Sequence, residues 1–321
     1  MRPPGTYANG LKSGFSFLYS SVFHVPYVSG MPPAIGIELT NCCNLRCPEC
    51  YSGSGMMTRP RGYMDLALFE RIINELSPWL LNVNLYFQGE PMMHPRFFSL
   101  LETSRNLNTI VSTNGHFLSE ENCEKLMVSG LSKLIISLDG FDREAYSAYR
   151  KGGDFDKVYT GIKLLALLKK KNRHSPELEV QCLVNSYNES QIPAMKMFAA
   201  GLGVRLRLKS MQVYDEERVA EWMPRQKKFR RYTIEGEEQA NRLPDRCARL
   251  WFNPVVSWDG KVVPCCFDKD ADYIMGDLVK ESFREIWHGE RYREFRNMVL
   301  QKRSDIDICR NCTSGLTGIS I

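Results

Sequence analysis

Short apolar runs of β type alternate along the chain with longer segments in which apolar residues recur at helical spacing. The β-type runs are Ile35–Leu39, Val83–Phe87, Thr109–Ser112, Leu134–Leu138, Leu178–Leu183 and Val204–Leu208. The helical segments between them are Leu66–Leu76, for which Asp65 is the predicted N-cap, Arg96–Asn106, Glu120–Val128, Asp156–Lys170 and Ser190–Ala200. Each strand apart from the last is followed by a helix, which favours parallel βα units. The pattern predicts an α/β fold built on an incomplete, TIM-like (β/α)6 barrel, with its chemistry at the carboxyl ends of the strands.

The C-terminal third of the chain has a different pattern. Asp215–Arg246 is rich in charge and is predicted to be a linker that contains a helix. Beyond it, Asp259-Gly260 lies between two short β-type runs and predicts a hairpin. Ser282–Leu300 predicts one amphipathic helix, with the inward residues Phe283, Ile286, Trp287, Tyr292, Phe295 and Val299. We therefore predict four parts: an N-terminal extension over 1–33, the barrel over 34–214, the linker over 215–246 and a small α+β domain over 247–321.

Composition and charge limit the possible classes of function. The 321 residues carry a net charge of +5, and 43% are hydrophobic, as in a soluble protein with a sizeable core. The densest basic runs, 169–171 and 227–231, have few interleaved aromatic residues, so we interpret them as solvated faces and predict no nucleic-acid partner. No run approaches the roughly 18 apolar residues of a membrane span, and the N-terminus lacks a signal-peptide pattern. We predict a cytoplasmic protein without a membrane span.

Nine of the eleven cysteines fall in two groups, and the first group directly follows the first strand. Its spacing, Cys43-x3-Cys47-x2-Cys50, supplies three thiolates on one loop. Iron–sulfur clusters usually take four ligands, so three leave one iron open to a substrate. The alternatives are a structural zinc site that uses a distant cysteine, and incidental buried cysteines. Cys42 lies outside the spacing and is predicted either to pack or to be a weak alternative ligand.

This motif is similar to the CxxxCxxC signature of the radical S-adenosylmethionine superfamily, and the resemblance extends over residues 34–210. It implies a [4Fe–4S] cluster on the catalytic residues Cys43, Cys47 and Cys50, which cleaves S-adenosylmethionine reductively. It also implies an electron donor such as flavodoxin or ferredoxin. The implied contacts to the methionine amino group are Gly89, Glu90 and Pro91; those to the ribose and carboxylate are Ser112, Asn114, Ser137, Asp139 and Arg150; those to adenine are Tyr51, Val184 and Asn188. Taken singly, Glu90 also fits a turn, Arg150 a surface ion pair, and Tyr51 a packing role.

The second group of cysteines, Cys247, Cys265, Cys266, Cys309 and Cys312, lies near the C-terminus. The spacing of Cys247, Gly260 and Cys265 resembles the opening of the SPASM auxiliary domain. Five cysteines, rather than the seven usual there, imply the shortened Twitch form with one auxiliary [4Fe–4S] cluster. The resemblance implies Cys247, Cys265, Cys309 and Cys312 as its ligands, with Cys266 as the competitor of Cys265. A zinc ribbon-like site is the alternative.

Three hypotheses about function follow. The first is two-electron oxidation of a small hydroxylated substrate such as a sugar or cyclitol, because one fully ligated auxiliary cluster could accept the second electron. The second is modification of a ribosomally made peptide. The third is a non-catalytic iron–sulfur or zinc protein. The remaining candidates for the site are His94, His116, Lys209, Tyr214 and Asp215 at strand ends, each of which has an ordinary structural role as its alternative, whereas Cys123 and Cys182 are predicted to be core residues.

Overall fold

A computed structural model of the chain describes residues 4–172, 174–231, 244–310 and 312. These residues form two compact units. The first unit comprises residues 4–42, 57–109, 244–310 and 312, and the second comprises 43–56, 110–172 and 174–231. Within the described residues, no helix has the length and the apolar character needed to cross a membrane.

The strands of the described residues confirm the predicted parallel βα pattern. They are β1 (Ala34–Ile37), β2 (Asn82–Asn84), β3 (Thr109–Thr113), β4 (Lys133–Ser137), β5 (Glu177–Val184), β6 (Arg205–Ser210), β7 (Val255–Val256), β8 (Lys261–Val263) and β9 (Gly276–Asp277). In the first unit, β1 pairs in parallel with both β2 and β7, and β7, β8 and β9 follow as antiparallel neighbours. In the second unit, β3 to β6 pair in parallel in chain order. The fold is α/β, with a partial barrel of βα units and a small C-terminal region of strands and helices.

The helices of the described residues are α1 (Pro4–Phe23), α2 (Tyr51–Ser54), α3 (Leu66–Leu76), α4 (Phe97–Thr103), α5 (Glu120–Val128), α6 (Arg143–Tyr149), α7 (Phe155–Lys171), α8 (Ile192–Leu202), α9 (Val219–Trp222), α10 (Arg249–Phe252), α11 (Phe283–His288), α12 (Glu290–Lys302) and α13 (Asp307–Arg310). The five helices predicted between the barrel strands are confirmed to within a few residues, as α3, α4, α5, α7 and α8. The predicted N-cap is confirmed, because the Asp65 carboxylate accepts hydrogen bonds from the N–H groups of Ala67 and Leu68.

The prediction of one helix over 282–300 is wrong, because two helices occupy this segment. α11 begins after Ser282, which forms a capping box with Glu285, and α12 begins after Gly289. Gly289 has extended backbone angles (φ −68°, ψ 166°), so the helical hydrogen bonds stop there. All six predicted inward residues are buried. The sequence does indicate the break between the two helices. The inward residues Trp287 and Tyr292 are five positions apart, a spacing that does not fit the period of one continuous helix.

Two further segments lie outside the barrel, the N-terminal extension and the linker. The N-terminal extension contains α1, a helix of 20 residues that the apolar pattern did not predict. The predicted linker contains α9, but residues 232–243 of the linker lie outside the described residues.

The predicted hairpin is confirmed, because β7 and β8 pair antiparallel around Asp259-Gly260. The four domain boundaries stay predictions.

Candidate functional site

The loop with the first three cysteines lies in the second unit, directly before α2. Cys43, Cys47 and Cys50 all pack against one apolar cluster, whose members include Leu45, Tyr149, Met211 and Trp222. Three polar groups point at the sulfurs: the N–H of Leu45 and the Asn114 side-chain amide lie 3.4 and 3.8 Å from Cys43 Sγ, and Arg150 Nη1 lies 3.9 Å from Cys47 Sγ. Hydrogen-bond donors directed at sulfur, in an apolar surrounding, suit an iron–sulfur cluster.

Burial and neighbouring charges shift the pKa of the Cys47 thiol. Burial raises the pKa of the Cys47 thiol to about 12, Arg150 opposes the rise, and the neighbouring Cys50 and Cys43 add to it. A metal ion or cluster that binds here must therefore displace protons from the thiols, as is general for cysteine ligands. Within the part of the chain that the structure describes, no three His, Cys, Asp or Glu side chains have the arrangement of a site for a single metal ion.

Arg150 and Asp139 form a buried ion pair beside this loop. Arg150 Nε lies 2.6 Å from Asp139 Oδ2, and the other carboxylate oxygen of Asp139 accepts from the N–H of Leu183 at 2.6 Å. The carboxylate of Asp139 is almost fully buried, and the guanidinium of Arg150 is 13% exposed. Gly140 makes room for this arrangement, because a Cβ there would lie 2.2 Å from the backbone nitrogen of Tyr146 in α6. The pair thus connects the end of β4 with the loop of Cys47.

Two of the three residues predicted to reach adenine, Val184 and Asn188, lie at or just beyond the end of β5, whereas Tyr51 begins α2. The Asn188 side-chain amide donates to the backbone oxygens of Asp139 and Leu183, at 3.0 and 2.9 Å, so it joins two strand ends. The Val184 side chain is buried in an apolar cluster with Ile192 and Leu208. The side chain of Val184 therefore packs in the apolar core of this unit. The predicted adenine contacts stay predictions.

Asn114, after β3, is held in place by its neighbours. Its amide nitrogen donates to Asn44 Oδ1 at 2.8 Å and lies 3.8 Å from Cys43 Sγ. Its amide oxygen accepts from the N–H of His116 at 3.0 Å, and His116 Nε2 accepts from the N–H of Asp154 at 2.7 Å. His116 is therefore a residue that orients Asn114 rather than one that lines an open cavity. Ser137 is buried and Ser112 is half-buried at their strand ends.

The segment Gly89-Glu90-Pro91 lies in the first unit, after β2. Gly89 has φ +73°, and a Cβ there would lie 2.5 Å from the backbone oxygen of Thr40, so only glycine fits. The Glu90 N–H donates to the backbone oxygen of Cys42 at 2.8 Å, and its buried carboxylate accepts from the N–H of Met92. The buried carboxylate of Glu90 has the charge that would complement an ammonium group, such as the one predicted to bind here. His94, by contrast, uses both ring nitrogens on the backbone of Met64 and Arg96.

Sequence reasoning missed the partners of Glu49, which lies between Cys47 and Cys50. Its buried carboxylate accepts from the N–H of Tyr214 at 2.9 Å and pairs with Arg218 at 3.0 Å. The ring of Tyr214 also meets the ring of Tyr51 edge-on, with 5.0 Å between the centroids. The segment after β6 therefore holds the cysteine loop through Glu49. No local pattern could have indicated this contact, because 165 residues separate the two partners.

A second buried ion pair, also missed, lies in the first unit. The two terminal nitrogens of the Arg59 guanidinium, Nη1 and Nη2, donate to the Glu38 carboxylate at 2.6 and 2.5 Å, and Glu38 directly follows β1. Burial raises the pKa of Glu38, whereas Arg59 and two backbone N–H groups oppose the rise. Arg59 also donates to the backbone oxygen of Lys269. The pair joins the end of β1 to the segment that follows β8.

The C-terminal cysteines meet within the first unit. Four thiols line a single cavity, those of Cys247, Cys265, Cys309 and Cys312, and all four residues are buried. Cys266 is half-buried and does not line this cavity. Both residues lie in the turn that follows β8, which ends at Val263, and only the Cys265 side chain is directed into the cavity. Four buried thiols around one cavity fit a fully ligated [4Fe–4S] cluster.

Two arginines accompany these four thiols. Arg249 and Arg303 line the same cavity, and Arg303 Nη2 lies 3.4 Å from Cys312 Sγ. Burial by itself lowers the pKa of Arg303. The neighbouring thiols of Cys247, Cys312 and Cys309 raise this pKa by more, so the net shift is upward. Positive charges and N–H donors at the sulfurs compensate the negative charge of a thiolate-bound cluster.

Comparisons with known proteins agree with this geometry. The family model of the radical SAM superfamily matches residues 37–192, and that of SPASM, an iron–sulfur cluster-binding domain, matches residues 247–313. Together these matches include all seven cysteines that line the two sites.

Three individual proteins illustrate the relationship. The chain is 27% identical to the tungsten-containing aldehyde ferredoxin oxidoreductase cofactor-modifying protein of Pyrococcus furiosus, over 86% of each chain. It is 22% identical to the S-adenosyl-L-methionine-dependent 2-deoxy-scyllo-inosamine dehydrogenase of Niallia circulans, over 87% of this chain and 92% of that protein. The structure of Streptococcus suis SuiB bound to precursor peptide SuiA matches with a TM-score of 0.65 and 15% identity, over 96% of this chain and 75% of SuiB, and has the same fold. The chain therefore belongs to the radical S-adenosylmethionine superfamily of enzymes, carries a C-terminal SPASM domain, and has [4Fe–4S] clusters and S-adenosylmethionine as its cofactors.

Proposed function

We propose that this enzyme oxidises a small hydroxylated substrate, of the sugar or cyclitol kind, by two electrons. The observation that carries the proposal is the cavity lined by four buried cysteine thiols, Cys247, Cys265, Cys309 and Cys312. Four protein ligands leave no iron open to a substrate, so a cluster held there is suited to electron transfer. The similarity to a dehydrogenase that depends on S-adenosyl-L-methionine supports the same reaction class.

In the proposed reaction, the protein positions the cosubstrate around three cysteines. Cys43, Cys47 and Cys50 hold the first cluster, which when reduced supplies the electron that breaks the C5′–S bond of S-adenosylmethionine. Arg150, oriented by Asp139, binds the methionine carboxylate, because a guanidinium matches a carboxylate in bidentate geometry. Glu90 and the backbone at Gly89 and Pro91 bind the methionine ammonium. Asn114, Ser112 and Ser137 reach the ribose and carboxylate, and Tyr51, Val184 and Asn188 contact the adenine.

The electron balance of the oxidation assigns a role to the second cysteine group. The 5′-deoxyadenosyl radical would remove one hydrogen atom from an unactivated carbon of the substrate. Loss of a proton to solvent and of one electron would complete the oxidation, and a cluster held by Cys247, Cys265, Cys309 and Cys312 would supply the acceptor for that electron. Arg249 and Arg303 line the same cavity as these four thiols, and their positive charges would favour the reduced state of a cluster held there. Flavodoxin or ferredoxin, in the cytoplasm, supplies the first electron.

A second candidate function is the modification of a ribosomally made peptide. The match to SuiB, whose structure holds a precursor peptide, extends over 96% of this chain and supports this alternative. Both functions share the cleavage of S-adenosylmethionine and differ in the substrate. Incubation with cyclitols and with peptide precursors encoded near the gene, followed by mass spectrometry, separates them: loss of two hydrogens from a cyclitol supports the oxidation, and a modified peptide supports the alternative.

The decisive experiment measures iron and 5′-deoxyadenosine. The protein is reconstituted anaerobically, reduced with dithionite and mixed with S-adenosylmethionine. We expect about eight irons per chain, as two [4Fe–4S] clusters require, and formation of 5′-deoxyadenosine. The variant with Cys43, Cys47 and Cys50 all replaced by Ala forms no product, whereas Cys42→Ala, its matched control, retains activity.

A second pair of variants tests the auxiliary cluster. Cys309→Ala combined with Cys312→Ala lowers the iron content to about four per chain, while Cys266→Ala leaves it at about eight. If the fully loaded, reduced enzyme releases no 5′-deoxyadenosine, the proposed chemistry is refuted. If the double variant keeps all its iron, the auxiliary site is refuted alone.

A further inference from the structure

Helix α1 has the inverse of the usual polarity of a surface helix. The residues that it buries are small and polar: Thr6, Asn9, Ser13, Ser16 and Ser20. A helix on a globular protein normally turns its apolar face inward. Here most of the large apolar side chains lie on the outer face instead, whereas half-buried Phe17 packs against Trp251 and Phe252. The inversion is seen in the packed structure, in which the helix buries its polar stripe.

Hydrogen bonds attach the polar face of α1 to the rest of the first unit. Asn9 donates to the backbone oxygens of Met31 and Trp79, and Ser13 donates to Met31 as well, at 2.8 Å. Ser20 forms two hydrogen bonds with the backbone of Tyr27. These directional contacts determine the rotation of the helix about its axis. The apolar face therefore cannot turn inward without losing them.

The outer face of α1 is a continuous apolar stripe. Its large members recur at helical spacing and are all exposed: Tyr7, Leu11, Phe15, Leu18, Tyr19, Val22 and Phe23. Leu11 is 77% exposed and Phe15 is 57% exposed, which is unusual for such residues side by side. Exposed Val25 and Tyr27 extend the stripe beyond the helix. Lys12 is the one exposed charged residue of α1.

The charge around α1 is positive. Residues 1–37 contain no Asp or Glu, and the first carboxylate of the chain is Glu38. A cavity beside the helix is lined by Lys12, Arg284 and His288, together with Asn9, Trp79 and small residues, and no carboxylate lines it. Within the described residues, neither Lys12 nor Arg284 takes part in an ion pair. A negatively charged group next to the apolar stripe would complement these cations.

We propose that α1 lies in the plane of an anionic phospholipid surface and attaches the enzyme to it. In-plane helices of this kind bury their apolar side chains in the boundary between headgroups and acyl chains, and Tyr and Phe favour that boundary. Lys12 and Arg284 bind lipid phosphates beside the stripe. A 20-residue helix offers about 30 Å of such a surface. Membrane attachment is independent of the proposed reaction.

Vesicle flotation with the cluster-loaded, full-length enzyme tests the proposal. We expect binding to phosphatidylcholine vesicles that contain phosphatidylglycerol and weaker binding to phosphatidylcholine alone. Leu11→Glu combined with Leu18→Glu lowers the affinity at least about a hundredfold, because two apolar side chains leave the lipid and two negative charges are added. Lys12→Gln combined with Arg284→Gln reduces only the difference between anionic and neutral vesicles.

The control replaces equally exposed apolar residues elsewhere. Val128→Glu combined with Met197→Glu changes two exposed apolar side chains outside α1, and vesicle binding should be unaffected. Circular dichroism confirms that each variant is folded. The proposal is overturned if the wild type fails to bind anionic vesicles. It is also overturned if the Leu11→Glu, Leu18→Glu variant binds these vesicles as well as the Val128→Glu, Met197→Glu variant does. It is also overturned if light scattering without lipid shows a dimer that only the Leu11→Glu, Leu18→Glu variant dissociates, because the stripe then binds a second copy of the chain.

Discussion

Replacing Asp139 by Asn removes one partner of the buried ion pair beside the first cysteine loop. The variant has the same size as the wild type, but its amide nitrogen must face a donor, either Arg150 Nε or the N–H of Leu183. One hydrogen bond is therefore lost, and the guanidinium of Arg150 is left without its counter-ion. Removal of one partner of a buried pair costs about 3–5 kcal/mol. Because Arg150 is still 13% exposed, we expect the lower end, about 3 kcal/mol.

Hydrogen exchange measured by mass spectrometry reports this loss locally. Peptides that contain β5 include the amide of Leu183, which the Asp139 carboxylate binds. A loss of about 3 kcal/mol in the free energy of opening corresponds to exchange that is faster by about 150-fold, at 1.4 kcal/mol per tenfold. Asp156→Asn is the matched control, because it breaks the exposed pair of Asp156 with Arg143, which has the same 2.6 Å separation. Exposed pairs contribute about 0–1 kcal/mol, so exchange there rises less than about fivefold.

A double variant separates the unpaired charge from the lost packing. If the destabilisation comes from the uncompensated guanidinium, then Asp139→Asn combined with Arg150→Met is more stable than Asp139→Asn alone. The reasoning is refuted if Asp139→Asn changes the exchange of β5 no more than Asp156→Asn does. It is equally refuted if the two single effects simply add.

Two further predictions concern residues that orient the candidate site. Burial lowers the pKa of His116 below its usual 6.5. Just below pH 6.5 the unfolded chain therefore binds a proton at this histidine that the folded chain does not bind. The free energy of unfolding consequently falls as the pH falls below about 6.5, and this contribution is constant above that pH. The stability profile of His116→Gln should lack this component, and an unchanged acid slope would contradict the assignment of a neutral His116. Gly89→Ala places a Cβ 2.5 Å from a backbone oxygen at φ +73°, so we expect S-adenosylmethionine to bind at least about tenfold more weakly in equilibrium dialysis. Gly201→Ala, where a Cβ meets nothing within 4 Å, should bind it as the wild type does, and equal affinities for both variants would exclude the close approach as a constraint.

Local patterns predicted much of the fold because they reflect local causes. The alternation of apolar runs with helical segments indicated the parallel βα units, and the bounds of α3 and α5 agree with the predicted ones. Asp65 was predictable as an N-cap because its partners, Ala67 and Leu68, are two and three residues away. The cysteine spacing indicated the first site for the same reason, since three ligands on one loop approach one another whatever the rest of the chain does.

Contacts between distant segments were not predictable in this way. The partners of Glu49 and Glu38 come from other loops, so a single sequence shows two acidic residues without a reason to be buried. The choice between Cys265 and Cys266 was equally open, because the two cysteines are adjacent in the sequence. Their surroundings distinguish them: the Cys265 thiol lines the cavity with three distant cysteines.

The sequence by itself therefore determined the fold class, the family and the two groups of cysteines, since each of these depends on residues that are close along the chain. Tertiary structure decided which face of α1 is buried and which buried charges pair. It also decided which four thiols surround one cavity. These features depend on hydrogen bonds and burial between segments that lie far apart in the chain. Burial determines the energy of a charge or an apolar side chain, and burial exists only after the segments have packed.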